Sequence, residues 1–312
     1  MTQTTVKKQS KKEPYNPDKG VQELADTLIS LMEKGCNPFR KEWTPEGDHM
    51  NFTTGEYYQN GNLIALEIYK LAQGHKYPYW CGFKQAQKWG LKIKKGSKSA
   101  VILRPITIND KRLDDDGQQI ETGARFTIFR PTRVFNIACF VGSTPENQKK
   151  LDDRIADLEK QHQATNFEPL DDRLKNVHDI VVTNYIDKHL KNFSHKGDRA
   201  YYDVLFDEIV VPDRTRFSNN ENYYAVVMHE ACHSSGFGSE LYAEEEIITE
   251  CAAFLLAREL KVSTTDDQHA SYLKNWISKL RKEPKFINTI LGQSVKAKNF
   301  ILNPIVDKSD NT

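Results

Sequence analysis

His229-Glu230-Ala231-Cys232-His233 has the residue types and spacing of a metal-dependent hydrolytic centre. Residues four apart lie on one face of a helix, so both imidazoles can reach one ion. Glu230, beside the first of them, is placed to take a proton from water. Two histidines, a carboxylate base and an open position for water make the donor pattern of a zinc hydrolase. The expected ion is Zn2+, with Mn2+ or another divalent ion as the substitute. In a chain with 9 His, H-E-x-x-H arises by chance in about two per cent of cases, so the reading needs a third ligand.

The stretch Ala243–Ala257 supplies candidates and is a strong helix former. Glu246 and Glu250 are four apart and share a face that Ala253 and Ala257 continue. Two like charges at that spacing cost a little on a bare helix, but set against a cation they become one ligand and one supporting carboxylate. Glu250 is favoured as the ligand because it leads into the apolar run Ala252-Ala253-Phe254-Leu255; Glu246 is the supporting group or the alternative ligand. The competing reading is a solvated acidic face. The motif helix opens on Ser218 and Glu221, which fit a capping box. Tyr223, Val226, Val227 and Glu230 then follow at helical spacing, and Gly236 and Gly238 stop the helix.

The net charge of +1 in 312 residues hides an asymmetry. Residues 1–150 hold 24 Lys+Arg against 16 Asp+Glu, and residues 151–312 hold 20 against 27. A basic half joined to an acidic half predicts two domains with different partners, nucleic acid for the first. The five cysteines form no C-x-x-C pair, which fits reduced thiols in the cytoplasm. Cys232 and Cys251 are read as small core residues rather than soft ligands. No apolar run reaches membrane-spanning length.

The expected organisation is α+β. It comprises a disordered polar tail at 1–17, a first domain over 18–145, a connecting stretch with a short helix over 146–176, a second, mainly helical domain with a small sheet over 177–304, and a tail at 305–312. Helices are predicted near 18–35, 63–71, 177–190, 272–280 and 286–302. Strands are predicted at 100–105, 125–129, 133–136, 199–205 and 208–211, with a polar hairpin at 109–123. The strand at 208–211, read as an edge, is where a peptide substrate would add. In the first domain aromatics alternate with cations: Tyr58, Trp80 and Phe83 with Lys84, Lys94 and Lys95, beside the amide-rich loop carrying Asn51, Asn60 and Asn62. Bases stack on rings while cations track phosphates, so this pattern suits single-stranded nucleic acid. The competing reading places Trp80, Phe83 and Trp89 in a core with the lysines solvated.

The chain resembles the ArdC-type antirestriction proteins of mobile elements over about residues 18 to 302. The first half carries the likeness in Asn37-Pro38-Phe39-Arg40, Asn51, Thr54-Gly55, Tyr58, Asn60-Gly61-Asn62, Trp80, Phe83-Lys84-Gln85, Lys94-Lys95-Gly96 and Val134-Phe135-Asn136. The second half carries it in Tyr201-Tyr202, Asp207, Ile209, Pro212, Phe217, Tyr223-Tyr224, His229–His233, Gly236 and Ala243–Phe254. Ser234-Ser235 departs from the family's tryptophan and threonine. The resemblance implies a single-stranded-DNA-binding domain fused to a zincin-like metallopeptidase domain, with Glu250 as zinc ligand beside His229 and His233. It also implies a role in protecting incoming plasmid or phage DNA from restriction. On this reading Lys84, Lys94 and Lys95 contact phosphate, Tyr58, Trp80 and Phe83 stack on bases, and Asn51, Asn60 and Asn62 shape the loop. The protein or peptide substrate is unspecified. The rival function is a DNA-coating protein whose metal site only braces the fold.

Overall fold

The apolar stripe Val21, Leu24, Leu28, Leu31 and Met32 seats the first helix, α1 (Pro17–Glu33), against α2 (Gly61–Gln73). Gly35 closes α1 from the left-handed region, at φ 75°, with its N–H on the Met32 carbonyl. The computed structural model describes residues 17–39, 49–113, 119–164, 170–238, 242–262 and 273–304. The expected tails, apart from residue 17, and Arg40 of the Asn37-Pro38-Phe39-Arg40 motif lie outside the described residues.

In the first half, β1 (Met50–Asn51) runs parallel to β2 (Tyr79–Gly82), which leads directly into α3 (Phe83–Lys88). β3 (Leu91–Ile93), β4 (Ala100–Leu113) and β5 (Gln119–Asn136) follow, then β6 (Phe140–Gly142). One sheet has the order β1-β2-β5-β4, and β3 pairs with β6. The β4–β5 ladder runs on through the polar stretch expected to be a hairpin, with one irregularity between Asn109 and Lys111. The tip at 114–118 lies outside the described residues.

The helix expected to connect the domains, α4 (Pro145–Ala164), packs on the first half instead. Its Leu151 and Leu158 are buried in one cluster with Phe52, Tyr79 and Phe140. Gly142 permits the approach, since a Cβ there would lie 2.1 Å from the Gln148 backbone nitrogen.

The second half opens with α5 (Leu170–Val177), which continues through a π-helical stretch, His178–Ile186, into α6 (Asp187–His189). β7 (Asn192–His195), β8 (Tyr201–Asp203) and β9 (Glu208–Val211) form a sheet ordered β7-β9-β8. β9 is therefore central, not the edge the sequence suggests. The short polar strand β7, absent from the sequence reading, covers its far side in parallel. Addition of a peptide strand is confined to β7 and β8. α7 (Asn220–Ser234), α8 (Tyr242–Leu260), α9 (Leu273–Lys282) and α10 (Phe286–Leu302) complete the fold. Asn219, not Ser218, caps α7: its side chain accepts the Asn222 N–H at 2.8 Å, and Ser218 Oγ instead takes the Asn222 side-chain amide.

The layout is two-domain and mixed α and β, yet the halves share a core. Leu28, Leu66 and Trp80 lie in one buried cluster with Ile248, Phe254, Trp276 and Ile290 from α8, α9 and α10. A second cluster surrounds α7. No helix among the described residues is long and apolar enough to cross a membrane.

Candidate metal centre and nucleic-acid interface

α7 is buried along most of its length, and Ala231 packs with the small residues Ala252, Ala253 and Ala257 of α8 in one cluster. This close approach brings the two chemistry-bearing faces together. The Nε2 atoms of His229 and His233 lie 3.2 Å apart. Glu246 reaches both, with Oε1 3.5 Å from His229 and Oε2 3.5 Å from His233. Ligand atoms of these three residues all fall within 4.8 Å of one another. An ion with bonds of about 2.0–2.1 Å in tetrahedral coordination needs donor separations of about 3.3 Å, so the donors fit a divalent ion in both chemistry and spacing. Three converging side chains match the donor count of an open site rather than a closed one.

Glu246, rather than the favoured Glu250, thus stands against the histidines. Four residues along a helix advance the chain by about 6 Å, and Glu250 is not among the converging donors. Glu250 remains buried, at 5 % exposure, and its charge acts on His229. Glu230 is buried at 7 % exposure beside the first histidine.

The acidic surroundings set the proton affinities. Burial alone would lower the pKa of His229, but the Glu246 carboxylate, helped by Glu230 and Glu250, raises it above the ordinary value. For His233 burial again works downward, and Glu245 and Glu246 overcome it to reach about 10. A pocket that stabilises positive charge on two imidazoles also favours a cation. Sequence reasoning gave no role to Glu245, whose Oε1 lies 3.0 Å from His233 Nδ1, or to Thr249, whose Oγ1 lies 3.3 Å from the same nitrogen. Their signal was the i, i+4 spacing of Glu245 and Thr249, one residue out of phase with Glu246 and Glu250. Cys232 and Cys251 are buried, and burial pushes both thiols up, so they are core residues here.

The Ser pair is accommodated. Ser234 Oγ lies 3.0 Å from the Tyr185 hydroxyl and donates to the Ala231 carbonyl; Ser235 Oγ donates to the Cys232 carbonyl. Tyr202 donates to Asp207, which holds φ 48° in the turn before β9.

In the first half the predicted residues divide. Trp80 is wholly buried, and its Nε1 donates to His49 Nδ1 at 2.9 Å, while His49 Nε2 meets Glu67 at 2.9 Å. It cannot stack on a base: its strand register points it into the shared core, where the indole N–H has a partner. Trp80→Ala should therefore cost about 3–5 kcal/mol, whereas Phe83→Ala, at a site 56 % exposed, should cost under about 0.5 kcal/mol. Denaturant unfolding of the two variants checks this; equal midpoints would return Trp80 to the surface.

Asn51 shapes its loop, accepting from the Thr53 N–H and hydroxyl and donating to Gln85. Asn62 clamps β4, accepting the Leu103 N–H at 2.7 Å and donating to its carbonyl at 2.8 Å. Tyr58 is partly buried, and Asn60 is exposed. Phe83 and Tyr57 are exposed rings, the latter not singled out from sequence. Lys84, Lys94 and Lys95 are exposed, as are Lys88, Lys92 and Lys98 around them. Lys94 Nζ donates to the Ala138 carbonyl. Among the described residues none of the six is held in an ion pair.

Comparison with known proteins places both halves. The family model for the N-terminal domain of anti-restriction factor ArdC matches residues 18–135, and that for a zincin-like metallopeptidase matches residues 181–290. A DNA primase TraC of Escherichia coli is 29 % identical over 307 residues, covering 90 % of this chain and 27 % of that protein. The chain thus spans about a quarter of that relative. The uncharacterized protein y4eC of Sinorhizobium fredii is 24 % identical over 305 residues, with 90 % and 91 % of the two chains covered. The crystal structure of the antirestriction ArdC protein from R388 plasmid in its metal-free form superposes with a TM-score of 0.62 at 24 % identity, covering 90 % and 96 % of the two chains. Its Mn(II)-bound form gives 0.61 at 23 %. At that identity the likeness shows the fold.

Proposed function

This chain is an ArdC-type protein, an ArdC N-terminal domain joined to a zincin-like metallopeptidase domain, and from that premise we propose that it is a single-strand-binding antirestriction protein carrying a metal-dependent peptidase centre. The observation that carries the enzymatic half is the convergence of His229, His233 and Glu246 beside buried Glu230. These three residues would hold Zn2+ or Mn2+, the ion named for the bound form of the R388 relative. Glu250 supports from the next turn. A divalent ion there supplies Lewis acidity toward a peptide carbonyl and acidifies water.

The remaining work falls to the chain. Glu245 accepts the His233 Nδ1 proton, which fixes the tautomer and leaves Nε2 free as a donor. Glu230 takes the proton of water attacking a peptide carbonyl and passes it to the departing amine. The substrate is a peptide or an extended protein segment, aligned along β7 or β8. The exposed lysines with Phe83 and Tyr57 bind single-stranded DNA with little sequence preference. The five free cysteines suit work in the cytoplasm.

Calorimetric metal titration of the full chain tests the donor set. The wild type should take up one ion. Glu246→Ala should abolish uptake, and Glu250→Ala should weaken it without abolishing it. Glu245→Gln should lower affinity by about 10–100-fold. Retained affinity in Glu246→Ala with loss in Glu250→Ala would return the ligand role to Glu250.

A further inference from the structure

We infer that the seam between the two halves is a subsite for an unpaired nucleobase, with Asn60 holding the base edge and Tyr57 its face. The assignment rests on the single-strand-binding reading above and places part of that site on the metallopeptidase half. A cleft of about 770 Å³ opens where the loop before α2 meets α10. Tyr57, Gln59 and Asn60 line it from the first half, and Asn288, Leu291 and Gly292 from α10. Leu103 and Pro131 form an apolar floor.

The Asn60-Gly61-Asn62 motif is fully accounted for by this seam. Asn62 pins the loop to β4 through its two hydrogen bonds to Leu103. Gly61 lets the loop approach α10, since a Cβ there would sit 3.4 Å from Leu291 Cβ. Asn60 holds φ 56° and ψ −135°, a conformation that side chains other than glycine's rarely adopt. Strain of this kind ordinarily secures something local, and the N-cap position of α2 would be the natural gain. Yet the Asn60 side chain makes no capping hydrogen bond, and among the described residues it makes no other. The strain instead displays a free carboxamide at the cleft wall, the pattern of a residue held for a ligand.

The chemistry of the lining selects the guest. Among the described residues its one charged group is Asp18, paired with Lys285 at 3.0 Å, so the part of the ligand that enters is neutral. Carboxamides offer a donor and an acceptor each, matching the alternating edge of a base, and the half-exposed Tyr57 ring offers a stacking face. The charged phosphates stay outside the cleft, in water. The volume accommodates a base with its sugar and part of a neighbouring nucleotide.

The test is binding of fluorescent oligothymidylate to the full chain at fixed salt, alongside thermal melting. Asn60→Gly should raise the melting temperature, because glycine relieves the backbone, and weaken binding about tenfold or more. A purely structural Asn60 would not give these opposite signs. Gly292→Trp, at a position where an added Cβ meets nothing within 4 Å, should fill the cleft and weaken binding similarly at unchanged stability. On an abasic oligonucleotide wild type and Asn60→Gly should bind alike. Wild-type affinity in both variants would overturn the subsite while leaving the DNA-binding reading intact. Absence of single-strand binding by the wild type would overturn both. A peptide displaced by Gly292→Trp with DNA binding untouched would give the cleft to another guest and overturn the assignment.

Discussion

Glu230→Gln will leave metal uptake by the full chain unchanged and lower hydrolysis of an unfolded protein substrate by about 10²–10⁴-fold. The expectation follows from position. Glu230 is not among the three residues whose donor atoms converge, so its charge is not a ligand charge. It is buried at 7 % exposure and its charge acts on both His229 and His233, which keeps its carboxylate close to the centre. Glutamine keeps the volume and one hydrogen-bonding oxygen but cannot take a proton, so the substitution removes one step and preserves packing. Glutamine also avoids the cavity that Glu230→Ala would leave in α7. Metal titration and turnover on the same preparation separate the outcomes. Equal turnover would remove Glu230 from the mechanism. A wild type that binds one ion and hydrolyses no substrate would make the site a brace, as the DNA-coating reading holds.

The candidate metal centre was legible in part, and the choice between its two acids was left open for a definite cause. His229 and His233 are fixed relative to each other by helical periodicity alone, and the structure brings their Nε2 atoms together as that spacing requires. Glu246 and Glu250 also share a face by periodicity, but choosing between them depends on how far α8 slides along α7. That is a tertiary translation of one turn, about 5.4 Å, and no local pattern encodes it. The same limit applies to the aromatics. Trp80 and Phe83 sit in one stretch of mixed rings and lysines, yet Trp80 is claimed by His49, 31 residues away, while Phe83 is left at the surface where β2 turns into α3. The misplacement of α4 was avoidable. Leu151, Ile155 and Leu158 form an apolar stripe at helical spacing, which predicts the helix and a surface for it to pack on. Charge asymmetry pointed to two domains with different partners, and the layout is two-domain; charge reports on surfaces, though, and the buried cluster running from Leu28 to Ile290 that joins the halves left no mark in it.

That shared core decides how the second large effect must be measured. Excising the first half would expose the faces of α1 and α2 that meet α9 and α10, so the full chain is the proper object. Its affinity for single-stranded DNA should fall by about 300-fold between about 50 and 200 mM salt. The figure comes from six exposed lysines at about 0.7 released counterions per neutralised phosphate, a slope of about −4 in log–log terms. Lys84, Lys88, Lys92, Lys94, Lys95 and Lys98 qualify because among the described residues none is held in an ion pair. Lys149 provides the control: it is equally exposed but paired with Asp153 at 2.9 Å and lies on α4. Lys94→Ala with Lys95→Ala should reduce the slope by about 1.4 and weaken binding to every sequence alike. Lys149→Ala should change neither. Phe83→Ala and Tyr57→Ala should lower affinity without altering the slope, because stacking releases no counterions. A slope near zero, or equal affinity for double-stranded DNA of the same length, would leave the lysines as a solvated face and the centre on α7 as the protein's remaining candidate activity.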